Sequence, residues 1–171
     1  MAFGIDSTRP ERFSLRQSRY EALASDISAW AGAAAARGET LSLLDIGCGW
    51  GPLLRYLDSK PNFDRLRISG ADLVDAALYR KDAYEDYVVG DLSGGYPEIP
   101  SAHYDIVVCE QVLEHLDTLD IALDTLVRVL RPGGTLVIGV PIFLPPLHLA
   151  RKYLVPPLAK LLGHPDSASH Q

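Results

Sequence analysis

The chain opens on a helical rhythm and then changes period. Leu15, Tyr20, Leu23, Ala24, Ile27 and Trp30 recur at steps of three and four. That spacing predicts a helix over 14–37, continued by Ala31 and Ala33–Ala36 and stopped at Gly38. Leu41-Ser42-Leu43-Leu44-Asp45-Ile46 is instead a short apolar run that ends in glycines, as a buried strand does. A helix is expected to begin at Leu53–Leu57, after the glycine turn. Leu66–Ala71 reads as a second strand, 73–86 as a helix with Ala76, Ala77 and Tyr79 on one side, and Tyr87–Val89 as a third strand. Beyond a segment rich in turn residues, Tyr104–Cys109 is a fourth strand. Thr118–Leu130 is predicted helical, with Leu119, Leu123, Leu126 and Leu130 at core spacing. Arg131-Pro132-Gly133-Gly134 reads as a tight turn before a fifth strand, Thr135–Val140.

Strands and helices alternate, and the strands are continuous apolar runs rather than in/out alternations. Both features belong to an α/β fold whose parallel sheet is covered by helices on both faces. Right-handed crossovers then give a Rossmann-like, doubly wound, mostly parallel sheet of about five strands. Ligands of such sheets sit at the carboxyl ends of the strands, so chemistry is sought just after each one.

Composition narrows the field. The 171 residues suit one domain, and 47% apolar content is enough for a core. Sixteen basic against twenty-two acidic residues give a net charge of −6 with no basic run, which argues against nucleic acid. Two cysteines, Cys48 and Cys109, form neither a disulfide framework nor a zinc pattern. They suit a reducing cytoplasm, and the charged start carries no apolar signal segment. Between Pro132 and Ala150 there is no charge, but the glycines and prolines there make a poor membrane-spanning helix.

The first strand ends in Asp45-Ile46-Gly47-Cys48-Gly49-Trp50-Gly51, a G-x-G-x-G turn. Glycines there allow sharp turning and close backbone approach to a ligand, or simply a tight strand-to-helix connection. The spacing differs from the G-x-G-x-x-G of dinucleotide enzymes. Asp72 follows the second strand, 25 residues after Gly47. An acid there accepts from two ribose hydroxyls, or caps a helix, and it disfavours a 2′-phosphate. Asp91 follows the third strand, where it would accept from an exocyclic amine or serve as a turn residue. Glu110 lies nearest the end of the fourth strand, with Glu114 and His115 close behind. His115 is a candidate general base near neutral pH; alternatively, Glu114 and His115 stabilise a short helix and its join to the next. Cys48 and Cys109, at the ends of neighbouring strands, read as small apolar filler beside a ligand rather than as a redox pair.

Taken together, Leu43–Gly51, Asp72, Gly90-Asp91, Tyr104–Val108 with Val112–Leu116, and Leu130–Gly134 resemble the class I S-adenosylmethionine-dependent methyltransferases. The likeness is to the group acting on small molecules, such as the ubiquinone and menaquinone methylases. It covers residues 41–141 in the family's order and spacing. The resemblance implies that Asp45 and the Gly47–Gly51 turn, including Cys48 and Gly49, hold the methionine part of S-adenosylmethionine. It implies that Asp72, with Leu73 beside it, binds the ribose, that Asp91 and Leu92 flank the adenine, and that Glu110 lies near the sulfonium. It offers Arg19 or Arg16 for the cofactor carboxylate. The implied reaction is methyl transfer to a small-molecule acceptor by in-line displacement, leaving S-adenosylhomocysteine, with no metal. The alternatives are a cofactor-binding module without catalysis and, less favoured, a nicotinamide-dependent dehydrogenase.

The expected organisation is an N-terminal helical segment, 1–40, a cofactor-binding core, 41–141, and an apolar, proline-rich tail, 142–171. The family's sheet usually has seven strands, the last two forming a hairpin that this pattern lacks. The chain is therefore expected either to be a piece of a longer protein or to use its tail as a lid. An exposed sheet edge would invite a homodimer. The apolar tail, with Arg151, Lys152 and Lys160 interleaved, would pack as a lid or meet a lipid-like acceptor or a membrane surface peripherally.

Overall fold

The first strand, β1 (Leu41–Ile46), lies near the middle of a five-stranded parallel sheet in the computed structural model, which describes residues 15–75 and 80–141. The other strands are β2 (Leu66–Asp72), β3 (Tyr84–Val89), β4 (Tyr104–Glu110) and β5 (Leu130–Gly139), in the order β3-β2-β1-β4-β5. Every pairing is parallel. The chain first winds outward through β2 and β3, then restarts beside β1 with β4. The order thus reverses between β1 and β4, where a doubly wound sheet opens a crevice. Residues 17–140 form one compact unit.

The side-chain alternation of the strands divides the core. Leu43, Ile68, Ile106 and Val108 face helix α1 (Leu15–Ala35) and the short α2 (Pro52–Leu57), packing with Ile27, Leu53, Leu54 and Leu57. Leu44, Ile46, Val107 and Cys109 face the other way, against α3 (Asp120–Val129) through Ala122, Leu126 and Val129. All seven residues of β4 are buried. Such a strand has no polar face, which is why its sequence is an unbroken apolar run around Asp105. The Asp105 Oδ2 accepts from the Ser42 backbone N–H and hydroxyl, both at 2.7 Å, and the carboxylate pairs with Arg131. This network pins the amino ends of β1, β4 and β5.

Three expectations change. Residues 73–86 are not one helix: Lys81–Ala83 is a 3-10 turn and Tyr84 already opens β3, while 76–79, with Ala76, Ala77 and Tyr79, lie outside the described residues. The polar Tyr84-Glu85-Asp86 start hides an edge strand. Its ladder to β2, from Ile68↔Tyr84 to Asp72↔Val89, and the burial of the Tyr84 ring override the local pattern. The Arg131–Gly134 turn lies inside β5, which begins at Leu130 opposite Tyr104 and shifts register before Thr135 pairs with Ile106. Leu119, just before α3, and Leu123 within it are exposed, and Ala122, Thr125, Leu126 and Val129 form the buried stripe. Thr125 is accommodated because its hydroxyl donates to the Ile121 carbonyl at 2.7 Å. The proposed lid or lipid-facing tail, 142–171, lies outside the described residues. Among the described residues no helix is long and apolar enough to cross a membrane.

Candidate functional site

The glycine turn is shaped by backbone geometry that side chains would obstruct. The Gly47 N–H donates to the Ala71 carbonyl at 2.7 Å, which extends the β1–β2 pairing by one residue. Gly47 has φ +74°, and a Cβ there would overlap a methyl of Val112. Gly51 opens α2, whose first residue, Pro52, has no N–H to offer. Asp72 reaches back to the same turn: its Oδ2 accepts from the Gly49 N–H at 2.8 Å and its Oδ1 from the Val74 N–H at 3.2 Å. Asp72 thus braces the glycine turn and its own following turn rather than a helix, and its carboxylate stands at the crevice. Its four lone-pair positions leave room for further donors.

Asp45, Asp72 and Glu110 share one face parity on three adjacent strands, β1, β2 and β4. Asp45 pairs with Gly70 on one side and Val108 on the other, so Asp72 and Glu110 stand two residues farther toward the carboxyl edge. Asp45 is buried, and burial first, then the Asp72 and Glu110 charges, push its carboxyl up to about 7. Glu110 is buried too. Burial raises it, while its ion pair with Arg19 of α1 opposes that rise. The Glu110 carboxylate also fills the space beside Gly139, its β5 partner, so that a Cβ at Gly139 would overlap it. Arg19 lies over the Tyr20 ring, 5.4 Å from its centroid. The sequence offered Arg19 or Arg16 to a ligand carboxylate; Arg19 is paired with Glu110, and the Arg16 side chain lies outside the described part.

Next to these acids is a cavity of about 620 Å³, at the carboxyl ends of β1–β4. Gly47, Asp72, Leu73, Asp91, Leu92 and His115 line it. Asp45, Cys48, Gly49, Gly51 and Glu110 do not. Leu73 is exposed and Leu92 buried, giving the cavity two apolar surfaces. Asp91 caps the 3-10 turn Leu92–Gly94, its Oδ1 accepting from the Ser93 N–H at 2.8 Å and from the Ser93 hydroxyl. These bonds hold its carboxyl below the usual range. His115 is exposed at the end of the turn Leu113–His115, beside Leu116, Asp117 and Thr118. Cys48 and Cys109 are free and buried. Burial raises both thiols, Cys109 up to about 12, so neither is a ready thiolate. Among the described residues no cluster could hold a metal ion.

Among the cavity residues that sequence reasoning did not assign to a site, Tyr96 and Gln111 have the least ordinary geometry. Tyr96 is buried at φ +42°, and its hydroxyl donates to the Gly90 carbonyl at 2.8 Å. Its place between Gly94-Gly95 and Pro97 was the available signal. Gln111 follows Glu110 at φ +60°, with its N–H on the Gly139 carbonyl at 2.7 Å and its side-chain Nε2 buried without a hydrogen-bond partner. Nothing in the local sequence marks it.

Residues 44–138 match the family model described as a methyltransferase domain. Over 95 residues the chain is 35% identical to malonyl-[acyl-carrier protein] O-methyltransferase of Enterobacter lignolyticus, a match spanning 55% of this chain and 36% of that one. Over 103 residues it is 31% identical to thiol S-methyltransferase TMT1A of Homo sapiens, spanning 55% and 40%. The match thus covers less than half the length of either curated relative. A protein from Methanococcus maripaludis, described as an S-adenosyl-L-methionine-dependent methyltransferase, shares the fold with a TM-score of 0.57 at 21% identity, over 83% of this chain and 66% of that one.

Proposed function

Because this chain belongs to the methyltransferase-domain family, within the class I S-adenosylmethionine-dependent enzymes, we propose that it binds S-adenosylmethionine at the carboxyl edge of its sheet and transfers the methyl to a small molecule. The observation that carries this reading is the row of Asp45, Asp72 and Glu110 on neighbouring strands beside a cavity of about 620 Å³. With Asp72 lining the cavity, and Glu110 beside it offset by Arg19, the site is acidic and suited to cations, and S-adenosylmethionine carries an ammonium and a sulfonium. The cofactor supplies a methyl already activated by the sulfonium.

In this reading Asp72 accepts from the ribose hydroxyls through the lone pairs left over by Gly49 and Val74. Leu73 and Leu92 give the adenine apolar cover, with Asp91 at its edge. Asp45 and the Gly47–Gly51 turn hold the methionine end, where Gly47 keeps the backbone free of a Cβ. Glu110 faces the positive centre, and its exchange between Arg19 and ligand sets the charge there. The protein's main task is alignment of nucleophile, methyl and sulfur, which contributes roughly 7–11 kcal/mol in well-oriented systems. In this reading His115, exposed and lining the cavity, takes a proton from the acceptor. The two relatives act on an oxygen and a sulfur, so the acceptor atom varies within the family. The unpaired thiols of Cys48 and Cys109 fit a reducing compartment, and we place the activity in the cytoplasm.

Calorimetric titration with S-adenosylhomocysteine tests the reading. Saturable binding is expected, weakened on the order of tenfold or more in Asp72→Ala, the scale of losing charge-assisted hydrogen bonds. A folded wild type that does not bind refutes it. Binding without methyl transfer to any acceptor in cell extract would favour the module without catalysis.

A further inference from the structure

The cavity wall from Gly90 to Tyr96 joins a capped 3-10 turn to backbone of unfavourable conformation. The 3-10 turn Leu92–Gly94 is followed by two left-handed residues, Gly95 at φ +82° and Tyr96 at φ +42°. Tyrosine adopts that backbone reluctantly, so something else must hold the segment. The holder is Arg128, on α3. Its Nη2 donates to the Gly95 carbonyl at 3.0 Å and the Tyr96 carbonyl at 2.8 Å. Its Nη1 donates to the Ile99 carbonyl at 2.6 Å and the Ser101 hydroxyl at 3.3 Å. One planar guanidinium thus joins four acceptors on one loop, which a lysine ammonium with three donors from a point cannot reproduce.

The chain of contacts continues inward. Tyr96 donates its hydroxyl to the Gly90 carbonyl, and its ring lies so close to Gly90 that a Cβ there would come within 2.9 Å. Gly90 precedes Asp91 and Leu92, and all three line the cavity with Tyr96. Arg128 itself does not line it.

We propose that Arg128 is a positioning residue for the ligand site: acting through Tyr96, it sets the wall on which Asp91 and Leu92 meet the adenosyl group. The inference rests on the proposed binding of S-adenosylmethionine in this cavity. It differs from simple loop closure, because a residue that only stabilised the fold would affect binding no more than an equally destabilising change elsewhere. Arg131→Met provides that comparison, since Arg131 pairs with Asp105 at the opposite end of the strands.

The experiment is titration of wild type, Arg128→Lys and Arg131→Met with S-adenosylhomocysteine and with adenosine, below the melting temperature of each. Arg128→Lys is expected to weaken both ligands by the same factor, on the order of tenfold, the scale of a lost charge-assisted hydrogen bond. Arg131→Met should stay within about twofold of wild type despite its lowered melting temperature. Wild-type affinity in Arg128→Lys, or equal weakening in both variants, overturns the proposal. Should Arg128→Lys not fold, Tyr96→Phe, which removes only the bond to Gly90, carries the same expectation, and unchanged affinity there overturns it as well. A wild type that binds neither ligand refutes the methyltransferase reading and this inference with it, a result separate from binding that ignores Arg128.

Discussion

Gly47→Ala puts the turn's geometry to a quantitative test. Gly47 sits at φ +74°, where an L-residue costs about 1–2 kcal/mol, and the new methyl would overlap the Val112 side chain. Forcing a methyl into filled space adds about 1–3 kcal/mol. The sum, about 2–5 kcal/mol, is a large fraction of the roughly 5–15 kcal/mol that holds a domain together. The two contributions separate in a double-mutant cycle. Val112→Ala removes the obstructing methyls and leaves the backbone conformation as it was. In that background Gly47→Ala should cost only about 1–2 kcal/mol, so the two substitutions should couple by about 1–3 kcal/mol. Urea unfolding of the four proteins, with equal m-values, gives each term. A single-variant loss below about 1 kcal/mol would refute the steric reasoning, and so would additivity of the two changes.

Asp45 makes a prediction about pH. Its carboxyl rises from the usual 3.8 to about 7, so the folded chain holds this proton more tightly than the unfolded chain. Stability from this group therefore falls as pH rises from about 4 through about 7, by about 4 kcal/mol in all. Asp45→Asn should remove that fall, so its stability relative to wild type should improve between pH 5 and 8 in urea unfolding; parallel profiles for the two proteins would refute it. Gln111 combines φ +60° with a partnerless buried Nε2, and Gln111→Gly relieves both at some cost in chain entropy. A net gain of about 1–3 kcal/mol is expected, read as a melting temperature higher by about 2–4 °C per kcal/mol, and an unchanged or lower melting temperature would count against it.

The sequence by itself determined the parallel sheet and the turns that follow its strands. Runs such as Leu41–Ile46 and Tyr104–Cys109 are apolar because strands covered on both faces have no wet side, and that signal is local. The Gly47–Gly51 turn, Asp72 and Asp91 were legible for the same reason: each sits at or just past the end of a strand. Tertiary structure decided what depends on partners distant in the chain. Tyr84-Glu85-Asp86 became strand because β2 offered a ladder, against the helical look of its own residues. Asp45 and Glu110 do not line the cavity, and Arg19 pairs with Glu110, because strand register and the packing of α1 set which groups meet. Tyr96 and Arg128, 32 residues apart, are joined only by the crossing of α3 over the loop. Hydrogen bonds and ion pairs act over a few ångströms in space, and separation along the chain carries no record of them.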